Sequence, residues 1–265
     1  MDSLIHMHEF RRRPTNAVLT KFAMRVVSEL TRSDRIETGK PQSDVLDLLI
    51  RHSRCGEQTA LSTLYAEMKH RGISAEQVID IYFPAAIDWI GAEWHECEFD
   101  ILQTSIALSR LQVLLREMGR AWASDRAGQR VGHCVLLTLP AGEQHTLGAM
   151  IAANQMRRMG VSVKVAFVPG PLEMQRLLKE NRFSAVFVSL SNRSNLASCG
   201  DLIKTIRGDI GGDVPVVCGG GIVAEMGQVM SSSELAALVG ANLATSNIPE
   251  ALALMGNQVR HYAAE

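Results

Sequence analysis

The residues best placed to do chemistry lie in a loop. His145 follows the apolar stretch Leu136–Leu139, a break at Pro140-Ala141-Gly142 and the pair Glu143-Gln144, and it precedes a helix start at Thr146-Leu147-Gly148. Open α/β sheets bind ligands at such strand C-termini. Taken alone, an imidazole there is a nitrogen ligand for a metal or a solvated side chain. Two further pieces stand at predicted strand ends, Ser189-Leu190-Ser191 and Gly219-Gly220-Gly221. Other chemistries common to such sheets lack their residues. The first strand is followed by Pro140–Gly148 rather than GxGxxG, and no GK[ST] follows a strand. Leu190-Ser191 occupies the place of a phospho-acceptor aspartate. Hydride transfer and phosphotransfer are therefore disfavoured. Cys55, Cys97, Cys134, Cys199 and Cys218 show no CxxC spacing, which argues against a zinc site and for reduced thiols in a cytoplasmic protein.

Residues 128–265 must position these pieces, and they alternate strand and helix. Strands are expected at Val131–Thr138, Ser162–Phe167, Ala185–Leu190, Val214–Cys218 and Ala237–Val239. Helices are expected at Thr146–Met159, Leu172–Glu180, Leu196–Arg207, Val223–Met230 and Pro249–Tyr262. Runs such as Val135–Leu139 and Ala185–Leu190 are apolar throughout, as strands covered on both faces should be. The alternation predicts an α/β fold with a doubly wound, five-stranded parallel sheet of the flavodoxin or Rossmann-like kind. His133 falls at the opposite end of the first strand from the His145 loop.

Residues 41–125 read as helix throughout. Ser43 can cap a segment carrying Val45, Leu48 and Leu49. Glu57–Arg71 repeats the pattern and Gly72 ends it. Ser74-Ala75-Glu76-Gln77 fits a capping box. Val78, Ile81, Tyr82, Ala86, Trp89 and Ile90 mark the next helix, and Ile101–Met118 the last. Four amphipathic helices with short joints predict an N-terminal four-helix bundle. Residues 1–40 form a basic arm with Arg11-Arg12-Arg13, in which Pro14–Leu30 can be a helix with Val18, Phe22, Val26 and Leu30 on one face. The formal net charge of -1 gives no global pull toward nucleic acid or an anionic membrane. The arm can make at most a weak DNA contact through phosphates. No apolar run reaches membrane-spanning length.

The three pieces together resemble the cobalamin-binding fold of methionine synthase and methylmalonyl-CoA mutase, whose motif is DxHxxG, then SxL, then GG. Glu143-Gln144-His145-Thr146-Leu147-Gly148 stands for the first piece, with Glu in place of Asp. After positions 149–188 comes Ser189-Leu190-Ser191, with Ser in place of Leu, and after positions 192–218 comes Gly219-Gly220-Gly221. The resemblance implies that His145 is the lower axial cobalt ligand, with Glu143 accepting its other ring proton. It implies that Gly148 leaves room for the displaced nucleotide tail, that Ser189 hydrogen-bonds the dimethylbenzimidazole, and that the glycine triplet lets backbone approach the tail. Gln144, Thr146, Leu147, Ser191 and Thr245 complete the implied cofactor contacts.

The helical segment extends the resemblance to a cap above the corrin. Glu93-Trp94-His95 is similar to the Trp-His of cobalamin photoreceptors, while Gln103-Thr104 replaces their Glu-His pair. By that likeness Trp94 packs over the corrin and His95 is an upper cobalt ligand. Hydroxo- or aquocobalamin, or a photolysed alkylcobalamin, is then the expected cofactor. The whole chain resembles cobalamin-binding antirepressors of the AerR/PpaA type, which implies a light-responsive, non-enzymatic regulator. Its implied partner is a photosystem-gene repressor of the CrtJ/PpsR type. A corrinoid carrier for a methyltransferase shares the same core and is the competing reading. A mutase subunit is a weaker third.

Overall fold

The structure is a computed structural model that describes residues 40–95, 101–125, 133–167, 169–210 and 214–262. It comprises two units. The helical unit holds α1 (Ser43–Cys55), α2 (Gln58–Arg71), α3 (Ala75–Gln77), a π-helical turn (Val78–Tyr82), α4 (Phe83–His95) and α5 (Ile101–Asp125). It also takes in His145–Gln155, which lies within α6 and its approach. Glycines in the left-handed region, Gly56 and Gly72, close α1 and α2 at a φ of 65°. Gln42 precedes α1 and no side chain caps it, so Ser43 lies inside the first turn rather than ahead of it. The capping box at Ser74 and Gln77 is complete. The π turn has a local cause in Pro84. A proline ring collides with the carbonyl four residues back, and here the wider turn sends the Phe83 N–H to Val78 O instead.

The apolar core of this unit is built from Val45, Leu49, Leu64, Ile79, Phe83, Ile90, Leu111 and Leu115, all essentially inaccessible to water. Leu147 and Ile151 belong to the same core. Each such side chain contributes roughly 1.5–3 kcal/mol by burial.

The sheet unit contains β1 (Cys134–Leu139), the end of α6 (Thr146–Arg158), β2 (Ser162–Phe167), α7 (Pro171–Glu180), β3 (Ala185–Ser189), α8 (Leu196–Ile210), β4 (Val216–Gly219), α9 (Ile222–Met226), α10 (Ser232–Val239), β5 (Leu243–Ala244) and α11 (Ile248–Tyr262). All strands are parallel in the order β2-β1-β3-β4-β5. This is the doubly wound order in which ligands gather outside the strand C-termini. Register places Leu136, Val186 and Val216 side by side. They share a core with Met174, Ile203 and Leu235 from α7, α8 and α10.

One expected strand is corrected. Ala237–Val239 is the last turn of α10, and the fifth strand is Leu243–Ala244. The run Ala236–Val239 is apolar, but Ser231 and Glu234 form a capping box before it and Gly240 ends it with φ 77°. Those end signals outweigh a short apolar run that fits either period. The helix expected at Val223–Met230 is the shorter α9, with a turn after it.

Candidate functional site

In the sheet unit the loops at the C-terminal ends of β1, β3 and β4 are joined by one side-chain carboxylate and by backbone hydrogen bonds. After β1 the chain turns at Gly142, whose φ is 85°, and Glu143 N–H donates to Pro140 O at 3.1 Å. This turn drives the Glu143 side chain inward, where it is only 3 % exposed. Its Oε2 accepts the Ser191 N–H at 2.9 Å. The first and second motif pieces are thus joined by a charge-assisted hydrogen bond.

The second and third pieces are joined as well. Leu190 N–H donates to Gly219 O at 2.8 Å, and Ile222 N–H donates to Leu190 O at 3.1 Å. Gly220 has φ 100°, and a Cβ there would lie 2.5 Å from Leu190 O. A Cβ on Gly219 would lie 2.8 Å from Thr245 O. These two glycines are therefore required by neighbouring backbone, whatever else approaches them. Gly221 is exposed, and a Cβ there would make only ordinary contact with Ser191. Ser189 is buried at the end of β3, in register with Gly219. The Thr245 hydroxyl donates to Glu250 and accepts the Asn247 N–H at 3.0 Å. It serves the start of α11.

In the helical unit the first turn of α6 has two faces. Leu147 points into the bundle core and is 5 % exposed. Thr146 Oγ1 accepts from Gln112 Nε2 at 2.9 Å. His145, the residue before α6, and Gly148, in its first turn, are both exposed. A Cβ at Gly148 would meet nothing within 4 Å. Both motif positions are therefore accessible, whereas Thr146 and Leu147 are turned to packing. Gln144, exposed, precedes His145. Trp94 and His95 end α4, and their side chains fall outside the described residues.

Sequence reasoning missed Gln112 and Asp80. Asp80 Oδ1 accepts from Gln155 Nε2 at 3.0 Å, and neither residue belongs to a recognisable pattern. His133 lies before β1, at its N-terminal end, with Nδ1 3.1 Å from Ser184 Oγ. Burial holds its pKa below the usual imidazole range. Cys199 and Cys218 are buried together, and their mutual hydrogen bond and burial push the Cys199 thiol upward. Cys199 thus behaves as a packing thiol rather than a reactive one. Among the described residues no cluster of three or more His, Cys, Asp or Glu side chains could hold a metal ion. A surface cavity of about 450 Å³ beside His52, Ser105 and Arg110 includes none of the motif residues. Among the described residues no helix is long and apolar enough to cross a membrane.

No family model matches the chain. Its fold is similar to that of the monomethylamine corrinoid protein of Methanosarcina barkeri, with a TM-score of 0.60 at 13 % identity over 81 % of this chain and 96 % of that one. A cobalamin-binding protein from Desulfitobacterium hafniense aligns over 80 % of this chain and 98 % of that one, at 16 % identity and a TM-score of 0.37. The sequence is 35 % identical over 188 residues to an uncharacterised 20.5 kDa protein of Rhodobacter capsulatus from the bchF-crtJ intergenic region. That alignment takes in 71 % of this chain and 95 % of the relative. The chain belongs to the family of this bchF-crtJ intergenic protein.

Proposed function

We propose that this protein binds a cobalamin, with His145 as the lower nitrogen ligand of cobalt, and that it is a light-responsive antirepressor acting on a CrtJ/PpsR-type repressor of photosystem genes. The observation that carries the cofactor is the exposure of His145 and Gly148, two residues that stand along the chain at the motif's spacing from Ser189 and Gly219-Gly220-Gly221. The residues fit the group. An accessible imidazole is a suitable cobalt donor, and the open space at Gly148 leaves its helix face clear for a nucleotide tail. By the resemblance, Glu143 would accept the other ring proton of His145, and Gln144, Ser189, Ser191, Gly221 and Thr245 would contact the cofactor. The neighbour with the corresponding fold is named a corrinoid protein. The regulatory role draws on the relative from the bchF-crtJ region.

A bound alkylcobalamin supplies a Co–C bond that light breaks, and with it a light-dependent state. On this reading His95 would offer a second nitrogen donor to a cobalamin without an alkyl ligand, and Trp94 would disfavour bulky alkyl ligands. His145→Ala is expected to lose tight retention of hydroxocobalamin while keeping wild-type helicity by circular dichroism. A full cofactor complement with an unchanged visible spectrum sinks the assignment. For the partner, the purified repressor should co-elute with photolysed, cobalamin-loaded protein and not with the dark methylcobalamin mixture. Equal elution in both states removes the light-responsive role.

A corrinoid carrier of a methyltransferase is the second reading, favoured by the likeness to the monomethylamine corrinoid protein. A carrier needs an open upper face. If His95→Ala with hydroxocobalamin keeps the wild-type spectrum and selectivity against alkyl forms, the carrier is the better reading.

A further inference from the structure

The α6 segment that begins with the proposed ligand is held by the bundle at several points. Leu147 and Ile151 are set in the bundle core. Gln112 on α5 donates to Thr146 at 2.9 Å. One turn and more further on, a Cβ at Gly119 of α5 would lie 2.9 Å from Asn154 Oδ1. Gln155 donates to Asp80 of the π turn at 3.0 Å. Two matched positions, 112 with 146 and 119 with 154, show α5 and this segment running side by side in the same direction. Of these contacts, only the Gln112 bond is polar, specific and adjacent to His145.

We infer that Gln112 is a positioning residue for His145: through Thr146 it fixes the first turn of α6, and so the direction from which the imidazole is presented. The inference rests on the ligand assignment above. The reason is leverage. The exposed His145 imidazole leaves the backbone at the start of this turn, so whatever fixes the turn also sets where the ring begins. Thr146 and Leu147, the next two residues, are both clamped. Leu147 fixes depth by burial, but an apolar contact tolerates rotation. A directional hydrogen bond at Thr146 does not. Sites held only by their ligating group are loose, and supporting hydrogen bonds are what sharpen them. A glutamine reaching from a neighbouring helix gives the bundle a specificity-determining role in the site, separate from covering the corrin.

The test uses the full chain with hydroxocobalamin and five variants: Gln112→Leu, Thr146→Val, their double variant, Thr146→Ser and His145→Ala. Gln112→Leu and Thr146→Val should shift the visible spectrum of the bound cofactor toward that of His145→Ala and raise its Kd about five-fold, the scale of one lost hydrogen bond. Thr146→Ser keeps the hydroxyl and should restore both. Without cofactor, amide exchange at residues 147–150 should quicken in the first two variants with little change in Tm. The Gln112→Leu/Thr146→Val double variant should cost no more than either single one. A merely structural role would lower Tm or stoichiometry but leave the spectrum of the bound fraction alone. If both single variants keep the wild-type spectrum and Kd while His145→Ala loses the cofactor, the positioning role is overturned and the ligand assignment stands. If His145→Ala also keeps the wild-type spectrum, the ligand assignment falls and the positioning role falls with it.

Discussion

Gly220 and Gly148 belong to the same sequence motif but answer to different constraints. Gly220 sits at φ 100° against the Leu190 carbonyl, where a Cβ would be 2.5 Å from an oxygen. Gly148 sits on an exposed helical turn where a Cβ meets nothing within 4 Å. The fold alone demands the first. It does not demand the second, and a helix interior ordinarily prefers alanine to glycine by up to about 1 kcal/mol. Like Gly220, Glu143, Ser191 and Gly219 are locked to one another or to neighbouring backbone in the sheet unit. A motif residue that the fold does not need is the better evidence for a ligand.

Substitutions can break this contrast. Gly220→Val is expected to have the largest effect, a loss of more than about 4 kcal/mol, because it combines a forbidden backbone region with a backbone collision. Urea denaturation reads it, and a stability near wild type would show that the turn can relax. Leu147→Ala should cost about 3 kcal/mol by leaving a cavity in the bundle core. It should also weaken cofactor retention, since it loosens the turn beside His145. Glu143→Ala should cost about 2 kcal/mol by stranding the Ser191 N–H. Glu143→Gln keeps an acceptor and should recover most of that. If the two variants are equally stable in chemical denaturation, the Ser191 bond is not what holds the loop.

The smallest effect on stability is expected at Gly148. Gly148→Ala should leave Tm unchanged or slightly raised, by less than about 1 kcal/mol. Gly148→Leu should fold equally well yet bind hydroxocobalamin at least about ten-fold more weakly, a difference of ~1.4 kcal/mol. Equal affinity in Gly148→Leu and wild type would mean that this helix face does not meet the tail, and the contrast between the two glycines would lose its functional meaning.

Much of the architecture was legible in the chain. Predominantly apolar runs at Val135–Leu139 and Ala185–Ser189 mark strands covered on both faces, and they are strands. End signals were equally readable at Gly72 and Ser74. The error at Ala237–Val239 arose because a short apolar run has no period of its own, and its helical caps lie outside it.

The order of the motif pieces along the chain, the candidate ligand His145 and the parallel character of the sheet were determined by the sequence alone, because strand alternation and loop position are local properties. Which face each motif residue presents was decided only by the tertiary structure. Thr146 and Leu147 turn inward because Gln112 and the bundle core receive them. Glu143 is drawn under the Ser191 amide, 48 residues away in sequence. Gly219 and Gly220 are fixed by carbonyls of Thr245 and Leu190. Such partners come from distant parts of the chain, and no local pattern encodes which of them will be within hydrogen-bond reach.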